Sequence, residues 1–220
     1  MVSASILSAP AAVVMSKILY PETEVPVTLG LHIQPHYERE NNVVEAIING
    51  ANHGLRLVVG ITALLVAFLG LVALIDLMLG MLGGWLNLEL SLRDILGYVF
   101  YPLTLIIGVP LADAGEIAKI IGERTVVTEV QAYQDLAVLM GQQALSHTRS
   151  AVIATYALCG FAHVASLAIF VGGTAALAPE RTKDLSELGF RALLAATFAC
   201  LLTAAVAGSV FTEGSILLGG

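Results

Sequence analysis

Charge is what this chain has least of. Only 12% of its 220 residues are Asp, Glu, Lys or Arg, against 57% hydrophobic, and the mean hydropathy is +0.87. An ordinary soluble domain carries about 25% charged residues, and one of this size lacks the polar surface to cover so many apolar side chains. Basic residues are scarcest: ten Lys and Arg against seventeen acids, for a net charge of −7. They form no stripe, which excludes a nucleic-acid partner. Cysteine is nearly absent, and Cys159 and Cys200 both lie inside apolar runs, so neither a disulfide framework nor a thiolate metal cage is expected. Met1 to Ala12 lacks the basic start of a secretory signal. Also missing are a Gly-x-Ser-x-Gly elbow, a phosphate loop and a dinucleotide fingerprint, so the chain does not read as an enzyme.

What the chain does have is long uncharged stretches: 57–75, 95–112, 150–179 and 192–212. Runs of 18 or more mainly apolar residues are membrane-helix candidates, so the expected fold is all-α and polytopic. Residues 2–20 are expected to be the first span, short of charge until Lys17 and ended by Pro21, Glu22 and Glu24. The start of an apolar segment so close to Met1 suggests part of a larger architecture. Residues 26–41 hold Pro, Gly, His and charges and read as a water-facing loop. Its His32, His36, Glu38 and Glu40 invite a metal reading, but Pro35 disrupts helical ligand spacing and a solvated loop is favoured.

Residues 42–56 place Val43, Val44, Ile47, Ile48, Ala51 and Leu55 on one helical face, with polar residues opposite. This predicts an interfacial helix leading into a span over 57–75, with Asp76 at its exit and Gly80, Gly83 and Gly84 breaking the helix. A second interfacial helix is predicted over 91–108, interrupted by Pro102 and Gly108. Residues 111–141 carry seven charged positions between apolar ends, which suits a re-entrant hairpin buried by protein. Residues 150–178 exceed one crossing and are interrupted at Gly160 and at Gly172–Gly173; 192–211 form the last span. Lys17, Arg39 and Arg56, and likewise Arg181, Lys183 and Arg191, cluster between spans, so positive-inside bias puts Arg39 and Lys183 in the cytoplasm and Arg149 and Gly220 outside.

Four blocks, SAPAAVVMSKILYPETE, TVVTEVQAYQDL, AVIATYALCGFAHVASLAIFVGG and APERTKDLSELGFRALLA, resemble the concentrative nucleoside transporters in order and spacing. The resemblance covers nearly the whole chain but only the C-terminal half of that family's fold. It implies half of an inverted-repeat transporter, with one re-entrant helical hairpin and a broken transmembrane helix. The absent half carries a Gly-Gln-Thr-Glu hairpin and the sodium site. The implied activity is ion-coupled nucleoside symport, with sodium or a proton as coupling ion and no covalently bound cofactor. The implied location is the plasma membrane, or the inner membrane of a bacterium. The expected partners are a nucleoside, the lipid bilayer, and either a chain supplying the N-terminal half or further copies of this one. The second reading is a membrane fragment or structural or regulatory subunit that does not itself transport.

The resemblance also implies the site. The family's hairpin tip reads Asn-Glu-Phe-Val-Ala-Tyr, its Glu binding the ribose hydroxyls; here Thr128 to Tyr133 keep the acid as Glu129 and change three neighbours. In the broken helix Gly160, Phe161, Ala162 and Ser166 match, while His163 replaces an Asn that reaches the nucleoside. The substrate-binding set is therefore Glu129, Phe161, His163 and Ser166. Each has a plainer reading. Glu129 would instead ion-pair with Arg124 or Lys119. His163 would satisfy a backbone group rather than donate to substrate or titrate. Phe161 and Tyr156 would pack rather than stack a base, and Ser166 would join helices.

Overall fold

The computed structural model describes residues 2–23, 25, 40–86 and 90–212. The loop histidines His32 and His36, Glu38, Arg39 and Gly220 lie outside the described residues. Within them all regular structure is helical: α1 (Val2–Leu19), α2 (Val43–Leu86), α3 (Leu92–Ile106), α4 (Leu111–Arg124), α5 (Glu129–Gly141), α6 (Thr148–Leu158), α7 (Val164–Leu177) and α8 (Thr182–Ser209), with a 3₁₀ turn at Pro179–Arg181. Three stretches are long and apolar enough to cross a membrane: α1, α2 and Pro179–Ser209. The chain is an all-α, multi-pass membrane protein.

The α2 region departs from the sequence reading. An interfacial helix over 42–56, a span ending at Asp76 and a glycine break were expected; instead one helix of 44 residues runs through all of them. A glycine costs a helix about 1 kcal/mol in water, where the freed backbone can bind solvent. In lipid there is no such alternative, so an unbroken helix is the favoured state even through Gly80, Gly83 and Gly84. Asp76 does not end the helix: its Oδ1 accepts the Leu92 backbone N–H at 2.8 Å and so ties the middle of α2 to the first turn of α3. Pro102 and Gly172–Gly173 likewise fail to interrupt α3 and α7. The last helix starts at Thr182, ten residues before the expected span.

A core forms where α4, α6 and α8 meet. Ile117, Ile120 and Ile121 of α4 pack with Val152, Ile153 and Leu158 of α6 and with Leu201 and Ala204 of α8, all buried. Small residues let the backbones approach. A β-carbon on Gly122 would lie 2.8 Å from the Leu96 carbonyl carbon, so α3 crosses α4 at near backbone contact. Helix α1 lies on α8 through Ala4 and Ala11, and Arg191 of α8 stacks 5.0 Å from the Tyr20 ring centroid at the end of α1.

One buried carboxylate fixes α4 against α6. Asp113, 2% exposed in the first turn of α4, accepts the Ser146 and His147 backbone N–H groups at 2.8 and 3.1 Å and the Ser150 hydroxyl at 2.5 Å. These donors belong to the start of α6, whose first amides have no intrahelical acceptor. A single acid thereby caps one helix from the beginning of another.

Candidate functional site

Residues 150–178 divide into α6 and α7 because the chain leaves helical geometry at Cys159 and resumes it at Val164. Gly160 sits at this break: any side chain there would collide with Cys200 Sγ of α8. His163 closes the second half-helix. Its Nδ1 accepts the Ser166 backbone N–H at 2.9 Å, while the His163 N–H donates to Ser166 Oγ at 3.0 Å, a reciprocal capping box.

That cap fixes the imidazole tautomer. With Nδ1 accepting, the ring proton resides on Nε2, which points at Glu129 Oε2 2.8 Å away. His163 Nε2 and Glu129 Oε2 thus stand in close polar contact, the ring's N–H side toward the carboxylate. A second proton on Nδ1 would set two N–H groups against each other and cost the cap. Glu129 begins α5, and its side chain keeps 26% of its surface exposed while that of His163 keeps only 2%. Phe161 stands edge-on to the His163 ring, centroids 4.8 Å apart, and is itself exposed. Glu129, Phe161, His163 and Ser166 thus form one cluster, with the carboxylate and the phenyl ring as its open face. Neither cation weighed for Glu129 pairs with it: Lys119 meets Glu116 at 3.6 Å and Arg124 turns to a backbone carbonyl. Tyr156 lies apart from the cluster's open face, its hydroxyl 2.8 Å from Ser3 Oγ of α1.

The turn between α4 and α5 is stitched to the break at several points. Arg124 Nη1 donates to the Gly160 carbonyl at 3.2 Å, and the Thr125 carbonyl accepts the Val164 N–H at 2.9 Å. From α5, the Tyr133 hydroxyl donates to the Thr155 carbonyl at 2.9 Å. Sequence reasoning missed Thr125 and Tyr133 and saw Arg124 only as a counter-charge. The available signal was a basic residue two positions before the apolar pair Val126–Val127, but nothing in the spacing says that a carbonyl 36 residues away is its acceptor.

The profile described as "Na+ dependent nucleoside transporter C-terminus" matches residues 1–208. The chain is 39% identical to solute carrier family 28 member 3 of Mus musculus, covering 94% of this chain and 32% of that protein. It is 38% identical to the nucleoside permease NupC of Helicobacter pylori, covering 94% and 50%. Among solved structures, a doubly substituted CNTnw in an outward-facing state superposes with a TM-score of 0.82 at 35% identity, over 94% of this chain and 49% of that one. CNTnw in an inward-facing substrate-bound state gives 0.67 over 93% and 48%. The chain spans a third to about half the length of the curated relatives it matches.

Proposed function

Since the chain belongs to the Na+ dependent nucleoside transporter family, we propose that it forms the C-terminal half of an ion-coupled nucleoside symporter and carries part of the nucleoside site. The observation that carries this reading is the meeting of Glu129 with His163 at a helix break, with Phe161 beside them. Discontinuous membrane helices commonly build transporter sites from their half-helix ends. A carboxylate offers acceptors for two adjacent sugar hydroxyls, and an exposed aromatic edge offers a face for the base. Ser166 and the second half-helix hold the imidazole that orients Glu129. The family description supports sodium as the coupling ion, bound mostly by the other half of an inverted repeat.

Reconstitution tests the reading. In proteoliposomes with an inward sodium gradient, the 220 residues alone give no uridine or adenosine accumulation, because half of the site is missing. Supplied with an N-terminal half from a relative, they accumulate nucleoside. Accumulation by the lone chain removes the half-site reading; none in either case favours a non-transporting subunit.

His163→Asn checks the imidazole's part. Asn caps helices well and keeps an N–H near Glu129, so uptake of the assembled transporter keeps its wild-type pH profile between about pH 5.5 and 7.5. A flattened profile would mean that His163 titrates during transport despite its cap.

Orientation follows from basic residues, with the α7–α8 junction cytoplasmic and the start of α6 outside. In a background lacking Cys159 and Cys200, an impermeant thiol reagent labels a cysteine at position 183 only from the cytoplasm and one at 149 only from outside. The reverse pattern inverts the topology.

A further inference from the structure

Arg124 is the largest fully buried side chain described, 0% exposed at the end of α4. Among the described residues it has no carboxylate partner. Glu123 and Asp135 are both taken by Arg93, at 3.2 and 3.4 Å, Glu116 by Lys119 and Glu129 by His163. Its one hydrogen bond goes from Nη1 to the Gly160 carbonyl, and Nε and Nη2 find no acceptor. A buried cation without an acid partner is costly, and something must repay its lost hydration. What faces it is the C-terminal end of α6, where the helix dipole places negative potential and the break frees carbonyl oxygens. His163 lies within electrostatic reach of both Arg124 and Glu129.

In transporters with discontinuous helices, half-helix carbonyl ends and unwound backbone bind the coupling cation. We propose that Arg124 is a tethered cation standing in that place: it permanently supplies, at the α6–α7 break, the positive charge that a bound ion would otherwise bring. The break is thereby held open without an ion, and a fixed positive charge sits on the same break that Glu129 meets through His163. Coupling-ion binding then belongs to another part of the transporter. Arg124 is a positioning residue, acting through the Gly160 carbonyl. The assignment rests on the nucleoside-site reading for its role in transport, but the charge balance at the break stands on the geometry alone.

Thermal melts of the full-length protein in detergent separate charge from shape. Arg124→Lys keeps the cation, and its melting temperature stays near that of the wild type. Arg124→Gln keeps N–H donors but no charge and melts lower. Guanidinium at low millimolar concentration, or sodium, raises the melting temperature of Arg124→Gln by more than that of the wild type, because only the variant has a vacant cation position. Uridine affinity, measured on the same variants assembled with an N-terminal half, falls about tenfold in Arg124→Gln, the scale of one lost charge-assisted interaction, and is kept in Arg124→Lys. Overturning results are a Gln variant as stable as the wild type, a Lys variant as damaged as Gln, or no selective rise with either cation. If Arg124→Gln does not fold, a folded Arg124→Lys supports the assignment and an unfolded one overturns it. Wild-type protein that binds no nucleoside would overturn the substrate reading while the melts still decide the role of Arg124.

Discussion

Glu129→Gln, made in the assembled transporter, lowers ribonucleoside affinity roughly 10- to 150-fold, because hydrogen bonds to a charged acceptor are worth about 1.5–3 kcal/mol. The amide oxygen can still face His163 Nε2, so the capped break survives and the loss falls on the ligand. What disappears is the second anionic oxygen, replaced by a donor facing a sugar hydroxyl. Deoxyribonucleosides, with one hydroxyl fewer to satisfy, lose less. Calorimetric titration of the two substrate classes into wild-type and variant protein reads this directly. Equal losses for both would remove the sugar from Glu129 and leave it a partner of His163 alone.

Asp113→Ala has the largest expected effect on stability. The buried acid accepts two backbone N–H groups from exposed residues and one buried hydroxyl. Removing it leaves the buried Ser150 hydroxyl without that acceptor, at about 1–3 kcal/mol, while the exposed Ser146 and His147 amides can turn to water. That loss, about 1–3 kcal/mol, is a sizeable fraction of a typical domain's stability. Asp113→Asn retains one acceptor and loses less. Melts followed by intrinsic fluorescence should rank wild type above Asn and Asn above Ala. An Ala variant that melts with the wild type would show that water also reaches the Ser150 hydroxyl and that α4 is not pinned to α6.

The residues carrying the chemistry were more legible than the architecture around them. Gly160 was legible as the break only through the resemblance of its block to the family's broken helix, since Gly172–Gly173 in the same run leave α7 intact, and Glu129 stood out because a carboxylate at membrane depth is expensive. Their meeting was not readable. The contact between residues 129 and 163 depends on how the α4–α5 turn lies across the break, and no periodicity within one helix encodes it. The sequence reading treated Gly80, Gly83 and Gly84 as breakers by applying a cost measured in water to a chain solvated by lipid, and α2 instead runs on through them to Leu86. Pairing of α3 with α4 was also invisible: Gly122 and Leu96 are 26 positions apart, and their near contact is a property of two surfaces. Arg124 shows the converse difficulty. Its charge was obvious and its acceptor was not, since a lone arginine invites a search for an acid when a carbonyl at a helix end serves.

The charges around the broken helix also bear on electrical work. The group holds one acid, Glu129, one arginine, Arg124, and an imidazole whose Nδ1 is used up as a helix cap, so its formal charges cancel. Moving one elementary charge through 100 mV of membrane potential involves about 2.3 kcal/mol. A cluster with no net charge crosses the same field without that term in either direction. In the transporter proposed above, the charges of this group therefore add no voltage dependence to the return of the empty site, and any current reports charges carried elsewhere.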